Sequence, residues 1–543
     1  MASRSPSALG GPLLAPRLSP AVPTWHPARA EAAPMEFSEL IKTATVENVL
    51  LSRPGLPAVR GTLCITSHHL LLSSSPRGDL ELWLLIRNVD AVEKRVHNLG
   101  WYQPPRTGGS LRDTRVSGSS GTITLRCKDL KVLQLEIPGM EECLNIASSI
   151  EALSSVDSVM MMYPFFYRPP GLRLQQGWHQ SPLERYFQQV ASQALLRSSQ
   201  PLTGPNRRRC REDEKLLGTI LDEGERGFII DTRSAQAAKQ ARMSGGGTEP
   251  KSSYPQWRRL HRALDRGRPL QESFIRLVEA CAEQGMDRWL GRLESSRWLS
   301  HVKAALSTAC LAAQCLDREG CKVLVHGAEG TDATLLVTAL AQLILDPSCR
   351  SLEGFQGLLE REWIQAGHPF QLRCARSASS HGRGKQEAPI FLLFLDCVWQ
   401  LSRQFPFSLE FGEQLLLTLF DNAYASSYGT FLCNNEKERS LCKVKESTHS
   451  LWAWLNQPEE RQKYLNPLYS HNPLVIWPSV EPQSIQLWQG LFLRWIRPSQ
   501  HLDEAWAEIR RLVEGNNSST KESAGKRLSL TFPDPTAGTR NGR

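Results

Sequence analysis

Short apolar runs separated by turn-forming residues make up the chain from residue 35 to about residue 140. Residues 61–66 (GTLCIT), 69–72 and 80–85 have the composition of strands, and Ser, Pro and Gly lie between them. Two further runs of this type are residues 122–125 and 132–135. The pattern predicts a series of short β-strands joined by turns.

Residues 141–153 repeat instead at helical spacing. Cys143, Ile146, Ala147 and Ile150 recur three or four positions apart and define one apolar face. Several strands closed by one amphipathic helix predict a pleckstrin-homology-like β-barrel over residues 35–155. Residues 97–120 are rich in Gly, Ser and Arg, which predicts a flexible loop inserted in this domain.

The pattern becomes mixed α and β after residue 155. Residues 227–231 (GFIID) and 322–326 (KVLVH) are typical of buried parallel strands. A helix is predicted before the second strand and another follows from about Asp332 to Leu345, and such a strand, turn and helix can bind phosphate on backbone N–H groups. The fold class is therefore α+β multidomain, with an α/β second domain over residues 156–513. The helical positions before the second strand are Trp298, Val302, Leu306, Cys310 and Ala313.

Composition narrows the possible environments of the chain. Net charge is +9 over 543 residues, a mild excess that fits contact with anionic membrane and does not indicate nucleic acid. The 13 cysteines lack disulfide or zinc spacing, and the longest apolar stretch, residues 388–401, is shorter than the ~20 residues of a spanning helix. We expect a cytoplasmic protein that is neither transmembrane nor secreted. Residues 1–34 and 514–543 are predicted to be a disordered leader and tail.

Several motifs in order along the chain resemble the myotubularin family. They include residues 61–72 (GTLCITSHHLLL), 163–167 (YPFFY), 230–233 (IDTR), 245–247 (GGG) and 394–399 (FLDCVW). The resemblance covers roughly residues 35–512. It implies a GRAM-type pleckstrin-homology domain followed by a protein-tyrosine-phosphatase-like domain that acts on phosphoinositides.

The resemblance also identifies the phosphate loop, within residues 325–334 (VHGAEGTDAT). Active myotubularins have His-Cys-Ser-Asp-Gly-Trp-Asp-Arg-Thr here: the Cys thiolate attacks phosphorus, the Arg binds two phosphate oxygens and an Asp protonates the leaving oxygen. This chain has Gly327 at the Cys position and Ala333 at the Arg position. The degenerate loop consists of His326, Gly327, Ala328, Glu329, Gly330, Thr331, Asp332, Ala333 and Thr334.

Gly327 cannot form a phosphoenzyme, and loss of a covalent nucleophile costs on the order of 10⁶-fold in a comparable case. The resemblance therefore implies a pseudophosphatase without catalytic residues, cofactor or metal. We expect Glu329 and Asp332 to repel a phosphate with no cation opposite them. Two interpretations remain: the loop is kept because the core needs it, or it retains some ligand binding. An enzyme that uses Asp332 as a base is a further alternative.

Other features leave choices open. The cluster Arg207, Arg208, Arg209 and Arg211 could contact anionic lipid or form a solvated face beside acidic residues. A stretch of the family's phosphatase-like domain is absent from this chain near residues 180–197. This predicts a missing segment, as in a shortened isoform. The C-terminal heptads, which end at Val513, are too few for the stable coiled coil that the family uses to dimerise.

The leading hypothesis is a regulatory adaptor. By resemblance, inactive myotubularins pair with an active myotubularin-related lipid phosphatase, whose activity toward phosphatidylinositol 3-phosphate and phosphatidylinositol 3,5-bisphosphate they raise, or which they position on endomembranes. These membranes are the endoplasmic reticulum and perinuclear region or endosomes. The alternatives are a phosphoinositide-binding membrane module without partner regulation, or a truncated isoform that folds poorly.

Overall fold

The computed structural model describes residues 37–98, 119–178, 194–206, 208–283, 288–379, 386–496, 509 and 511. Two folded parts follow one another, an antiparallel β-domain and a larger α/β-domain. The predicted leader, most of the tail and coil region, and most of the loop at 97–120 lie outside the described residues. So do Arg207 and most of the predicted missing-segment region.

The first domain is a seven-stranded sheet in which all neighbouring strands are antiparallel, in the order β4-β3-β2-β1-β7-β6-β5. All five predicted strands are present, and β1 and β5 are additional. The elements are α1 (Phe37–Leu40), β1 (Thr45–Arg53), β2 (Leu56–Ile65), β3 (His69–Ser74), β4 (Leu80–Leu85), β5 (Val89–Asn98), β6 (Ser119–Cys127), β7 (Val132–Pro138) and α2 (Met140–Ser154).

The prediction of a pleckstrin-homology-like β-barrel with a C-terminal helix is confirmed in part by this order. Strands β4 and β5 are at opposite edges and do not pair with each other in the described residues, so the sheet is a curled half-barrel. Helix α2 covers β5, β6 and β7. Its predicted apolar face is buried, including Cys143, Ile146 and Ile150, and so the helix buries this part of the sheet without closure.

The second domain contains a four-stranded parallel sheet in the order β10-β9-β11-β8. Strands β9 (Gly227–Asp231) and β11 (Lys322–His326) are the two predicted strands. Strands β8 (Leu195–Ser198) and β10 (Trp257–His261) were missed because their sequences, LLRS and WRRLH, are not continuous apolar runs. Since all four strands are parallel, their carboxyl ends meet at one edge.

Helices surround this sheet and form most of the C-terminal part. The predicted helices at 298–313 and 332–345 are present as α7 and α8, and α8 is buried on nearly every side. The helices are α3 (Arg211–Ile220), α4 (Ala235–Met243), α5 (Arg268–Ala282), α6 (Trp289–Ser296), α7 (Trp298–Asp317), α8 (Ala333–Leu345), α9 (Leu352–Leu359), α10 (Phe370–Arg373), α11 (Ile390–Gln404), α12 (Glu413–Tyr424), α13 (Glu436–Leu441), α14 (Val444–Ser447), α15 (Leu451–Leu455), α16 (Pro458–Tyr464) and α17 (Gln489–Phe492).

The two domains are joined by specific polar contacts. The Asp90 carboxylate accepts backbone N–H bonds from Ser377 (2.9 Å) and Ser379 (2.8 Å). The Trp495 indole donates to the backbone oxygen of Asp129 at 2.8 Å. Among the helices that the structure describes, none has both the length and the apolar character to cross a bilayer.

Candidate functional site

The degenerate loop lies at the carboxyl edge of the parallel sheet. Strand β11 ends at His326 and α8 begins at Ala333. Gly330 has a φ of +79°, and a Cβ added there would lie 2.5 Å from the backbone oxygen of Ser198. The N–H of Gln200 donates to the Ala328 oxygen at 3.0 Å. The turn is therefore packed against the end of β8, and only glycine fits at residue 330.

The loop keeps the backbone arrangement of an anion cradle. In the described residues, no acceptor is hydrogen-bonded to any backbone N–H from Gly327 to Leu335, and Leu336 is the first to donate, to Asp332 at 3.1 Å. Successive free amides leading into a helix N-terminus favour negative charge. The predicted strand, turn and helix are present, and the phosphate-binding character of the turn stays a prediction.

The position of the missing nucleophile is lined by two hydroxyl groups. A Cβ added to Gly327 would lie 3.1 Å from Oγ1 of both Thr232 and Thr334. Thr232 donates to the His326 oxygen at 3.0 Å, whereas the buried Thr334 Oγ1 has no partner in the described residues. Ala333 is buried and provides no guanidinium. The side chains at these two positions therefore offer neither a thiolate nor the Arg-phosphate contact.

The expectation that Glu329 and Asp332 have no cation opposite them is wrong. Arg373 binds the Asp332 carboxylate through two bonds, at 2.8 and 3.1 Å, and Arg266 pairs with Glu329. In addition, His368 Nδ1 lies 3.3 Å from Asp332 Oδ1. Burial by itself would raise the pKa of Asp332, but His368 and Arg373 outweigh it and hold that pKa well below its usual range. An ionised, Arg-bound carboxylate is a poor proton donor and a poor base.

A network of buried charged residues lies next to the loop, at the carboxyl ends of β9, β10 and β11. The Asp231 carboxylate accepts from Arg233 (2.9 and 3.0 Å) and Arg259 (2.8 Å). Burial opposes ionisation of Asp231, yet the bonds from Arg233 and Arg259 keep its pKa well below the usual range. His326 Nε2 lies 2.8 Å from Glu249 Oε1. Most of the polar groups at the ends of β9, β10 and β11 are thus committed to one another.

The three described arginines of the cluster, Arg208, Arg209 and Arg211, have different surroundings. Arg208 packs its guanidinium against Gly245, and Arg209 Nε donates to Glu214 at 2.9 Å. Arg211 is exposed at the start of α3. For Arg209 the solvated-face interpretation is favoured, because its charge is already paired.

The residues that neutralise the loop were not found from sequence. Arg266 comes from one segment, and His368 and Arg373 come from another, around α10, and no spacing relates either segment to Ala333. Residues 367–368 belonged to a recognised family motif, which was the only available signal for His368. Pairings of this type depend on which segments meet at the sheet edge.

Comparison with known proteins identifies the family. A family model described as "Myotubularin-like phosphatase domain" matches residues 177–440. Myotubularin-related protein 9-like from Bos taurus is 57% identical, over 88% of this chain and 96% of the relative. The chain belongs to the myotubularin family. Other myotubularins include myotubularin-related protein 9 from Homo sapiens, 51% identical over 89% of this chain and 95% of its own.

Family members named as enzymes also match. Phosphatidylinositol-3,5-bisphosphate 3-phosphatase MTMR6 from Homo sapiens is 29% identical over 89% of this chain and 85% of its own. The myotubularin domain match includes β9, β10, β11 and the degenerate loop. The resemblance drawn from the sequence motifs is therefore confirmed at the level of the family.

Proposed function

We propose that this chain is a catalytically inactive myotubularin that acts as a regulatory adaptor of an active myotubularin phosphoinositide 3-phosphatase. One observation carries the proposal: Gly327 and Ala333 stand where the family chemistry needs Cys and Arg, in a loop that otherwise keeps its fold. Without the thiolate, the expected loss of turnover is on the order of 10⁶-fold.

The internal pairing of the loop supports an adaptor over an enzyme with different chemistry. Asp332, the candidate base, is buried and bound by Arg373, so its carboxylate is not free to take a proton from a substrate. The domain nevertheless has an extensive buried core around α8 and α11. A folded surface of this kind can stabilise or orient a partner without turnover of its own.

The names of two relatives supply the proposed partner's substrate class. MTMR6 is named as a phosphatidylinositol-3,5-bisphosphate 3-phosphatase, and a second relative, MTMR7 from Homo sapiens, as a phosphatidylinositol-3-phosphate phosphatase. The proposed partner acts on these lipids, in the cytoplasm and peripherally on endomembranes. No cofactor enters the mechanism.

A titration tests the adaptor function directly. Purified full-length chain is added to a fixed amount of an active myotubularin, and phosphate release from phosphatidylinositol 3-phosphate liposomes is followed, with the chain alone as blank. We expect saturable stimulation and a silent blank. Release by the chain alone, or a silent blank with neither stimulation nor co-purification, would count against the proposal.

A membrane-binding module without partner regulation is the second candidate. It is motivated by the half-barrel domain and by Trp83, which is 60% exposed on its edge strand β4. In that case the full chain floats with phosphoinositide liposomes but leaves the partner's turnover unchanged. A poorly folding shortened isoform, the remaining alternative, predicts a broad and weakly cooperative melt.

A further inference from the structure

Two surface segments of the second domain contain basic residues and no acidic ones. Residues 194–211 and residues 234–247 include no Asp or Glu. The first segment has the arginine cluster, and the second, which contains α4, has Lys239 and Arg242. Local charge in both is therefore positive, although the chain as a whole is only mildly basic.

The fold brings the two segments into contact. The N–H of Gly247 donates to the Thr203 oxygen at 2.7 Å, and Thr203 Oγ1 donates to the Thr248 oxygen at 3.0 Å. Arg208 packs against Gly245. The two segments thus form one continuous surface, which we call the α4 patch: Leu202, Arg208, Lys239, Arg242 and Met243.

The α4 patch exposes large apolar side chains beside cations. Met243 is 77% and Leu202 59% exposed. Lys239 and Arg242 are exposed too, and neither has an ion pair within the described part of the chain. Apolar tips with flanking cations and no acid are the composition by which proteins insert shallowly into anionic membrane surfaces.

The patch lies beside the degenerate loop, at the same edge of the sheet. Buried Arg233 donates to the carbonyl oxygens of Gly246 (2.7 Å) and Gly247 (2.8 Å) and to Gln200 (3.2 Å). Gln200 in turn donates its N–H to Ala328 of the loop. Arg233 therefore fixes the patch and the loop as one unit.

From this juxtaposition we propose that the α4 patch docks on an anionic phospholipid bilayer, with Met243 and Leu202 in the interface and Lys239, Arg242 and Arg208 on lipid headgroups. It is a contact on the second domain, separate from any membrane contact of the half-barrel. The exposed residues near Trp83 are a weaker candidate, because Arg53 there is paired with Glu81 at 3.3 Å.

Helix α13 provides a matched control surface. Lys437 is exposed and Leu441 is 61% exposed, as in the patch, but Glu436 and Glu438 lie on the same short helix. Replacing one cation and one apolar side chain there removes the same chemistry from a surface that has acids. Only the α4 patch is expected to respond.

The test is flotation of the full chain with vesicles of phosphatidylcholine, with and without phosphatidylserine. We expect binding only with phosphatidylserine. Lys239→Ala/Met243→Ser should weaken binding by at least about fivefold, roughly the contribution of one cation near such a surface. Lys437→Ala/Leu441→Ser should match the wild type. Arg242→Ala is a second variant, in case the first fails to fold by circular dichroism.

Three outcomes would overturn the inference. The wild type does not bind the vesicles, the patch and control variants lose binding equally, or the patch variants bind as the wild type does. An acidic protein as the true occupant would appear as absence of vesicle binding and has the same consequence. The adaptor proposal is assessed separately, since stimulation of a partner on a soluble short-chain phosphatidylinositol 3-phosphate needs no bilayer. A variant that stops floating but still stimulates leaves that proposal intact.

Discussion

Single residues decide what the degenerate loop can do. Gly327 has no nucleophilic side chain, and Asp332, the candidate base, is half of an ion pair with Arg373. The Arg373 side chain is only 17% exposed, and the Asp332 carboxylate is the counter-ion of its charge. The Asp332 carboxylate therefore stabilises the structure of the loop, as the counter-ion of Arg373.

Loss of the Asp332 charge should therefore destabilise the fold. Asp332→Asn leaves Arg373 largely buried without a counter-ion, and we expect the free energy of unfolding to fall by about 3 kcal/mol. Asp332→Asn/Arg373→Met should recover most of this loss, since neither charge remains. Glu329→Gln, at the more exposed pair with Arg266, should cost less than about 1 kcal/mol. Urea denaturation measures all three, and equal losses in the two single variants would refute the argument.

Asp396 should make the stability of the fold depend on pH, because its pKa is raised, whereas that of Asp332 is lowered. Burial raises its pKa to about 6, despite bonds from Trp298 (2.8 Å) and Gln400 (3.0 Å). Because the folded state binds this proton more tightly than the unfolded state, whose pKa is about 3.9, stability falls as pH rises from about 4 to 6. Between pH 4 and pH 7 the stability of Asp396→Asn relative to wild type should therefore rise by about 2 kcal/mol, on top of a pH-independent cost because Asn can accept only one of these two bonds. Unfolding curves at both pH values test this; a constant difference would contradict it.

At the scale of elements, the strand, turn and helix formed by β11, the loop and α8 behave as one rigid unit. Its tightest point is Gly330, where left-handed backbone and close approach to Ser198 coincide. Gly320, before β11, has a similar φ of +61° but open space around its Cβ position. The two glycines separate backbone strain from steric clash.

Alanine at these glycines should give different losses. Gly320→Ala should cost about 1 kcal/mol, from left-handed strain alone. Gly330→Ala adds a clash with a backbone oxygen and should cost about 3 kcal/mol. Thermal or urea unfolding compares the two. Equal costs for the two variants would mean that the loop moves away from β8 easily and is not rigid.

At the scale of the whole molecule, the half-barrel and the α/β-domain are coupled by buried polar contacts. Asp90 on β5 accepts two backbone N–H groups from the segment after α10. Those amides would be left without the carboxylate if the domains separated. The junction therefore links folding of one domain to the other.

Asp90→Ala should weaken that coupling. It removes the acceptor of one buried and one partly buried amide, at a cost of about 2 kcal/mol, and we expect calorimetry to resolve two transitions instead of one. Asp79→Ala, at an exposed turn residue of the same domain, is the control and should change little. A single transition like that of the control would show that other contacts hold the domains together.

Much of the fold could be predicted from sequence because its signals are local. Helices α2, α7 and α8 and strands β9 and β11 follow from apolar spacing within each segment. Strands β8 and β10 could not be found, since arginines in LLRS and WRRLH hide a strand whose order comes from pairing in the sheet. The extent of barrel closure could not be predicted, because local patterns do not say whether β4 reaches β5.

The sequence by itself determined the family, and it determined that residues 327 and 333 are Gly and Ala, on which the proposed loss of catalysis rests. Only the tertiary structure decided how the loop is neutralised. Arg373 and Arg266 reach Asp332 and Glu329 from segments about 40 and 60 residues away, and Thr203 meets Gly247, in the turn after Met243, in the same way. The physical reason is that side-chain identity is written in each residue, whereas charge pairing depends on which chain segments meet at the carboxyl edge of the sheet.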